Sequence, residues 1–476
     1  MAGMFALPVR QNAANAVSVK SAFIIVKKYL QVSHQASDNL QIRKFANLQI
    51  EKSAIRNLSL ISLFNILLMR QSVRIQLSAM MFLEFFIWGS WYVTMGTYLD
   101  KVLHADGVQV GAAYSAMAID TIISPFIVGM IADRFFSAQK LLGVLHLLGA
   151  ALLYYLTTIG NANSFYWVLL LYSLMYAPTL ALANAVAFRQ MQDPSKEFSS
   201  IRVLGTIGWI ATGWMIDKVF HIATEDLAFT FKIAAVASVL LGLLSFFLPD
   251  TPPKAKGTKA TFLQILGADA FVLFKDRSFV VFFLSSVLIC IPLSFYYSFT
   301  NLYLTEAGMK NVTSNMTFGQ FSEAFFILLI PFFFRRLGVK WMIAVGMVAW
   351  AVRFMCFAYG DADALLWMLF AGIILHGVCF DFFFVTGQIY TDSKAGLSIQ
   401  SQAQGMITMA TYGIGMWIGT LLSGYVKDHY TIDNIVNWKS VWMVPAGISV
   451  VVLAIFILFF TDNKRSAVHA EPVNMV

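Results

Sequence analysis

Apolar residues run along this chain in blocks of about 20, the length an α-helix needs to cross the hydrocarbon core of a bilayer. Short polar connectors separate them. Reading for that length predicts twelve spans. The first six cover Ser78–Tyr98, Val110–Ile131, Leu141–Ile159, Phe165–Phe188, Ile201–Val219 and Phe229–Leu248. After a longer polar stretch come Phe279–Leu304, Phe318–Phe334, Trp341–Tyr359, Leu365–Tyr390, Met406–Val426 and Val441–Phe460. The fifth and the eighth are the least apolar. The pattern predicts an all-α membrane protein.

The connectors have an order of their own. The stretch 250–277 holds Pro252, Pro253, Lys254, Lys256, Lys259, Lys275 and Arg277. It reads as a linker between a bundle over 69–249 and a second over 278–462, followed by a tail over 463–476. Connectors on the linker side are basic: Arg134 with Lys140, Arg189 with Lys196, Arg335 with Arg336 and Lys340, Lys464 with Arg465. Connectors on the other side carry isolated Lys101, Lys310 and Lys439, mixed with Asp361 and Asp363. Basic loops stay in the cytoplasm, so both termini and the linker are expected there. An even number of spans follows.

Residues 1–68 break the pattern. They mix bases with the apolar stretch Leu58–Leu68, too short to span, and lack the order of charged start, apolar core and cleavage site that marks a signal peptide. Met69, followed by Arg70 and Arg74, reads as the natural start, and a cytoplasmic extension is the alternative.

Composition narrows the class. The chain is 59% hydrophobic and 12% charged, against roughly a quarter charged in soluble domains. The net charge of +8 raises nucleic acid as a partner. The bases, however, lie in connectors rather than in a patch, which excludes it and leaves the lipid bilayer. Cys290, Cys356 and Cys379 all fall in apolar blocks without metal-ligand spacing, so they read as reduced, packed thiols. A phosphate-cradling Gly-x-x-x-x-Gly-Lys-Ser/Thr run is absent, which argues against direct drive by ATP. With no paired histidines and no nucleophile–base motif, neither a cofactor nor an enzyme is expected.

Ionisable residues inside spanning helices cost roughly 2.5–3.5 kcal/mol to insert, so they normally face a cavity or a partner. Arg202, Thr206 and Trp209 share one helix face, as do Gln320 and Glu323. Asp381 stands mid-helix among aromatics. Arg202, Gln320, Glu323 and Asp381 are expected to meet in a central cavity, with Trp209 and Phe380 as stacking surfaces. Each has a plainer alternative: Arg202 as a structural strut, Glu323 and Asp381 as interhelical glue. Glu84 and Asp120 are further cavity candidates. Trp88 and Trp91 either pack or line the cavity, Arg353 braces its helix or snorkels, and His376 is either a proton relay or simply hydrogen-bonded.

Several stretches carry a family likeness. Gly129, Asp133 and Arg134 with trailing Lys140 resemble the loop signature of the major facilitator superfamily, echoed faintly by Arg335, Arg336, Gly338 and Lys340. More specific are Phe82, Glu84, Trp88, Gly89, Ser90 and Trp91 in the first block, and Tyr176, Pro178, Thr179 and Asn184 in the fourth. The fifth block adds Arg202, Gly205, Thr206, Gly208 and Trp209, and the eighth Gln320, Ser322 and Glu323. Tyr359, Gly360, Asp361, Gly377, Phe380, Asp381, Gln404 and Gly405 complete the set. From Met69 to about Asp462 the chain resembles the bacterial nucleoside:proton symporters of that superfamily.

The resemblance implies two six-helix bundles, a site between them, and proton-coupled nucleoside uptake by alternating access in a bacterial inner membrane. It implies that Arg202, Thr206, Trp209, Gln320, Glu323, Phe380 and Asp381 bind substrate, with Glu323 and Asp381 coupling protons. Two departures stand out. A glutamine–asparagine pair of the family's seventh helix has no clear counterpart, and Tyr297 and Asn301 are the substitutes. A tyrosine of its tenth helix is His376 here. A proton-coupled sugar symporter on the same fold, a membrane-embedded enzyme and a non-transporting nutrient sensor remain the rival readings.

Overall fold

The computed structural model describes residues 71–127, 136–191, 194–252 and 268–461. Residues 1–68, the Gly129–Arg134 signature and most of the linker lie outside the described residues, as does the tail from 462. Apart from the first residues of the first helix, everything considered below lies in the compact unit that holds 76–476.

Helices dominate. In the first half they are α1 (71–92), α2 (Gly107–Ile127), α3 (Ala138–Leu156), α4 (Ala162–Gln190), α5 (Pro194–Trp214) and α6 (Ala228–Ser245). The second half opens with α7 (Arg277–Glu306). Its start is fixed by Asp276, whose carboxylate accepts hydrogen bonds from the Ser278 and Phe279 amides, two of the donors a helix start leaves unpaired. Asn161 does the same for α4 through the Ser164 amide.

Phe318–Tyr359 runs 42 residues, about twice what one pass needs. It breaks at Gly338, where φ of +66° takes the backbone into a region that favours glycine. The parts before and after are α8 and α9. Leu366–Phe380 is α10; it continues through a π-helical turn, Asp381–Val385, into Thr386–Thr408, which breaks at Gly396 with φ of +65°. A second π turn, Met409–Gly415, leads into α11 (Met416–His429), and α12 (Trp438–Phe459) ends the described chain.

Among the described residues eight helical runs are long and apolar enough to cross a membrane. Their outer faces are apolar too: Trp167, Leu240, Phe247, Leu328 and Leu458 are all exposed, a pattern suited to lipid rather than water. Boundaries differ modestly from the sequence reading. The first helix starts by 71 and turns at 93–94 before a short helix, Met95–Lys101, so the expected span Ser78–Tyr98 is not one straight rod.

Within each half the helices pack on one another, both sequence neighbours and distant ones: α3 against α4 and α6, α7 against α11 and α12, and α8–α9 against α10. The halves meet through α2 with α11 and with the π turn before it, Met95–Lys101 with α7, and α5 and the turn after it with the short helix Val312–Met316. The cavity lies along this seam.

Candidate functional site

Gly89 on α1 lets α5 lie close. A Cβ there would stand 2.7 Å from Thr212 Oγ1 and 3.2 Å from the Trp209 ring. That approach sets Trp209 at the seam, edge-on to Trp88 at 5.6 Å and 82°. Tyr92 follows three residues after Gly89 and meets Tyr297 of the second half with ring centroids 5.7 Å apart. The rings of Tyr92, Trp209 and Tyr297, with Tyr296, wall a cavity on the seam. Its polar lining comes from Thr212, Thr313, Thr317 and Gln320. The composition is aromatic faces plus hydroxyl and amide groups, with no charged side chain on the wall.

Of the residues expected from sequence, Trp209, Tyr297 and Gln320 line this cavity. Arg202 and Thr206 sit on the same α5 as Trp209, toward its start, and the Arg202 guanidinium lies 3.9 Å from the centre of the Phe85 ring. Glu323, one turn beyond Gln320, is buried and attracts Arg202 electrostatically across the seam. Asp381 is wholly buried where the π turn begins, and neither of its oxygens has a hydrogen-bond partner among the described residues. Phe380 turns away from the cavity wall to pack on His376 and Phe384. Asn301 is not on the wall either: its Oδ1 accepts a 2.6 Å hydrogen bond from Thr97 across the seam.

Other expectations are redirected. Glu84 does not reach the cavity. Its Oε2 lies 2.9 Å from His146 Nε2, and Thr179 donates to its Oε1 at 2.6 Å, all inside the first half. Asp120 is buried on α2 without a hydrogen-bond partner for either oxygen among the described residues. Trp91 packs on Tyr172 and Phe231. Arg353 does not snorkel; it is fully buried beneath the Tyr296 ring, 3.5 Å from its centre. Cys290, Cys356 and Cys379 are free and buried, as expected.

Sequence reasoning missed Tyr92, Tyr296, Thr313 and Thr317 on the wall. Tyr92 directly follows the quoted Trp88–Trp91 motif, so a signal existed. Thr313 and Thr317 belonged to a connector whose short helix has no amphipathic signature.

One end of the seam is closed. Lys427 pairs with Asp100 at 2.7 Å and Lys101 with Glu306 at 2.5 Å. The Asp428 carboxylate accepts from the Gly107 and Val108 amides at 2.6 and 2.9 Å, and Asp217 accepts from the Ser314 amide at 2.6 Å.

An aromatic cavity on the seam of a helical membrane protein, with buried carboxylates beside it, is what carriers of flat polar solutes present. The family described as nucleoside H+ symporter matches residues 71–465. The chain belongs to that family. It is accordingly a membrane transporter, a nucleoside–proton symporter by family, and not an enzyme. The putative nucleoside transporter YegT of Escherichia coli K12 is 43% identical over 410 residues, covering 83% of this chain and 96% of that protein. The xanthosine permease of the same organism is 34% identical, covering 82% and 97%. The crystal structure of nucleoside transporter NupG superposes with a TM-score of 0.75 at 32% identity, over 82% of this chain and 99% of that one. A bacterial homologue of the lysosomal transporter Spinster, at 14% identity and a TM-score of 0.64, shares the fold.

Proposed function

We propose that this chain imports nucleosides into a bacterial cell across the inner membrane by alternating access, with the seam cavity as the substrate site. The observation that carries the reading is the wall itself. Tyr92, Trp209, Tyr296 and Tyr297 offer ring faces and edges to a base, while Gln320 and the threonine hydroxyls offer donors and acceptors to ribose hydroxyls. Arg202, Thr206 and Glu323 extend this polar strip along α5 and α8, and Phe380 and Asn301 act behind it rather than in contact with substrate. Glu323 and Asp381 carry the coupled proton.

Counting Phe318–Tyr359 as two passes and adding α1, α2 and α5 to the eight runs gives twelve passes in two six-helix bundles. The basic connectors put the termini and the linker in the cytoplasm. The closed end, at Asp100, Lys427 and Asp428, then faces outward, and the arrangement is the inward-facing half of the cycle.

Uptake of radiolabelled nucleosides into proteoliposomes tests this. An inward proton gradient should drive accumulation, and a protonophore should abolish it. Uptake that ignores the gradient, or that excess hexose suppresses while excess unlabelled nucleoside does not, would overturn the reading.

A further inference from the structure

The second half contains a charged side chain that the transport reading leaves without a task. Arg353 on α9 is fully buried, and among the described residues it forms no ion pair. Its guanidinium lies against the rings of Tyr296, Trp350 and Phe357, at 3.5, 5.4 and 5.8 Å from their centres. Nε and Nη2 find no hydrogen-bond partner among the described residues, but Nη1 lies 2.9 Å from His376 Nδ1. The other ring nitrogen, His376 Nε2, is 4.0 Å from Glu323 Oε2. Arg353, His376 and Glu323 thus form a line from α9 through α10 to α8.

The chemistry of the first contact is one-directional. Arginine has five N–H donors and no acceptor, and it keeps its proton. The hydrogen in the Arg353–His376 contact therefore belongs to arginine, and Nδ1 must be the bare, accepting nitrogen. A neutral imidazole in that state carries its single hydrogen on Nε2, the nitrogen nearest Glu323. A second proton would have to sit on Nδ1, against a guanidinium N–H and beside a positive charge. While this contact stands, His376 cannot be the proton carrier.

We propose that Arg353 is a positioning residue that locks His376 as the neutral Nε2–H tautomer and so aims a fixed N–H dipole at the Glu323 carboxylate, 4.0 Å away and beyond a direct hydrogen bond. The proposal deepens the transport reading by stating what regulates one of its two proton sites. Among the described residues the groups facing Glu323 include His376 and Asp381 from α10 and the adjoining turn, Arg202 from α5, Tyr297 from α7 and Tyr412 from the second π turn. Of these, His376 is the one whose donor identity a further residue fixes. An N–H dipole aimed at it favours the carboxylate over the protonated acid. The Arg353–His376 pair therefore holds back proton uptake at Glu323, so that a proton arriving there competes with the His376 N–H.

Nitrogen-15 spectra of histidine-labelled full-length protein in detergent test the tautomer without reference to transport. His376 is assigned as the signal lost in His376→Gln. Wild type should show the Nε2–H tautomer unchanged from about pH 5 to 8, and Arg353→Met should let the same ring titrate. An Nδ1–H tautomer, or a titrating ring in wild type, would overturn the proposal. In proteoliposomes, His376→Leu should move the midpoint of proton-driven uptake to higher pH by about one unit, a tenfold gain in proton affinity. His376→Gln offers an oxygen to Arg353 and an N–H to Glu323, so it should restore the wild-type midpoint. Equal midpoints in the leucine variant and wild type would remove the link to Glu323. A locked tautomer in a protein whose uptake ignores the proton gradient would instead sink the transport reading.

Discussion

Lys427 Nζ lies 2.7 Å from Asp100 Oδ2, and the two residues belong to opposite halves of the molecule. Lys427 ends α11, and Asp100 sits on the short helix that follows α1. Both side chains are mostly shielded, at 7% and 13% exposure, so the pair is worth more than a solvated surface bridge, about 1 kcal/mol or somewhat above. Asp100→Asn should shift the population toward the state open at this end by about fivefold. With Thr313→Cys as a reporter on the cavity wall, a membrane-impermeant thiol reagent added outside should label the Asn variant faster. The native thiols are buried, so background labelling is low. Unchanged labelling would mean that the remaining contacts close this end without the pair.

Trp209 should dominate base recognition. Stacking of a base on an aromatic side chain contributes roughly 1–3 kcal/mol. Trp209→Ala should thus weaken nucleoside binding by between about fivefold and a hundredfold, measured by titration calorimetry on purified protein. Trp209→Phe should recover most of the loss. Equal losses in both variants would point to packing on Trp88, not to stacking on substrate.

Asp381 should be needed for coupling more than for binding. A wholly buried carboxyl group without hydrogen-bond partners among the described residues is costly as an anion and tolerable as an acid. Asn mimics the neutral form. Asp381→Asn should retain nucleoside exchange between the two sides of a proteoliposome and lose accumulation against a gradient. Accumulation at the wild-type level would remove Asp381 from the proton path.

Glu84 should matter for stability and not for substrate. Removing one member of a buried hydrogen-bonded pair leaves the other unsatisfied, at about 1–3 kcal/mol. Glu84→Ala, which strips His146 of its partner, should lower the melting temperature sharply in a thermal scan. Glu84→Gln keeps an acceptor for Thr179 and should recover part of the loss while binding nucleoside like wild type. A substrate defect in the Gln variant, with stability intact, would return Glu84 to the site.

The sequence by itself determined the class. Blocks of about 20 apolar residues admit few solvents other than lipid, and the placement of bases between them sets the expected orientation of the chain. It also picked out Trp209 and Gln320, because a polar or aromatic residue that shares a helix face with other polar residues has few places to go; Tyr297 came from the family resemblance. Tertiary structure decided which buried polar groups look into the cavity and which look into a bundle. Helical periodicity gives a residue's angle about its own axis but not which neighbour lies in that direction. Glu84 and Asp381 looked alike in sequence, each a carboxylate among aromatics. The fold gave one a histidine on α3 and the other no hydrogen-bond partner among the described residues. Arg353 and His376, 23 residues apart, share no face or motif, and only the packing of α9 on α10 brings their nitrogens into contact. A tautomer fixed by a partner's lack of acceptors is a property of that contact, so it could not be read before the helices were placed.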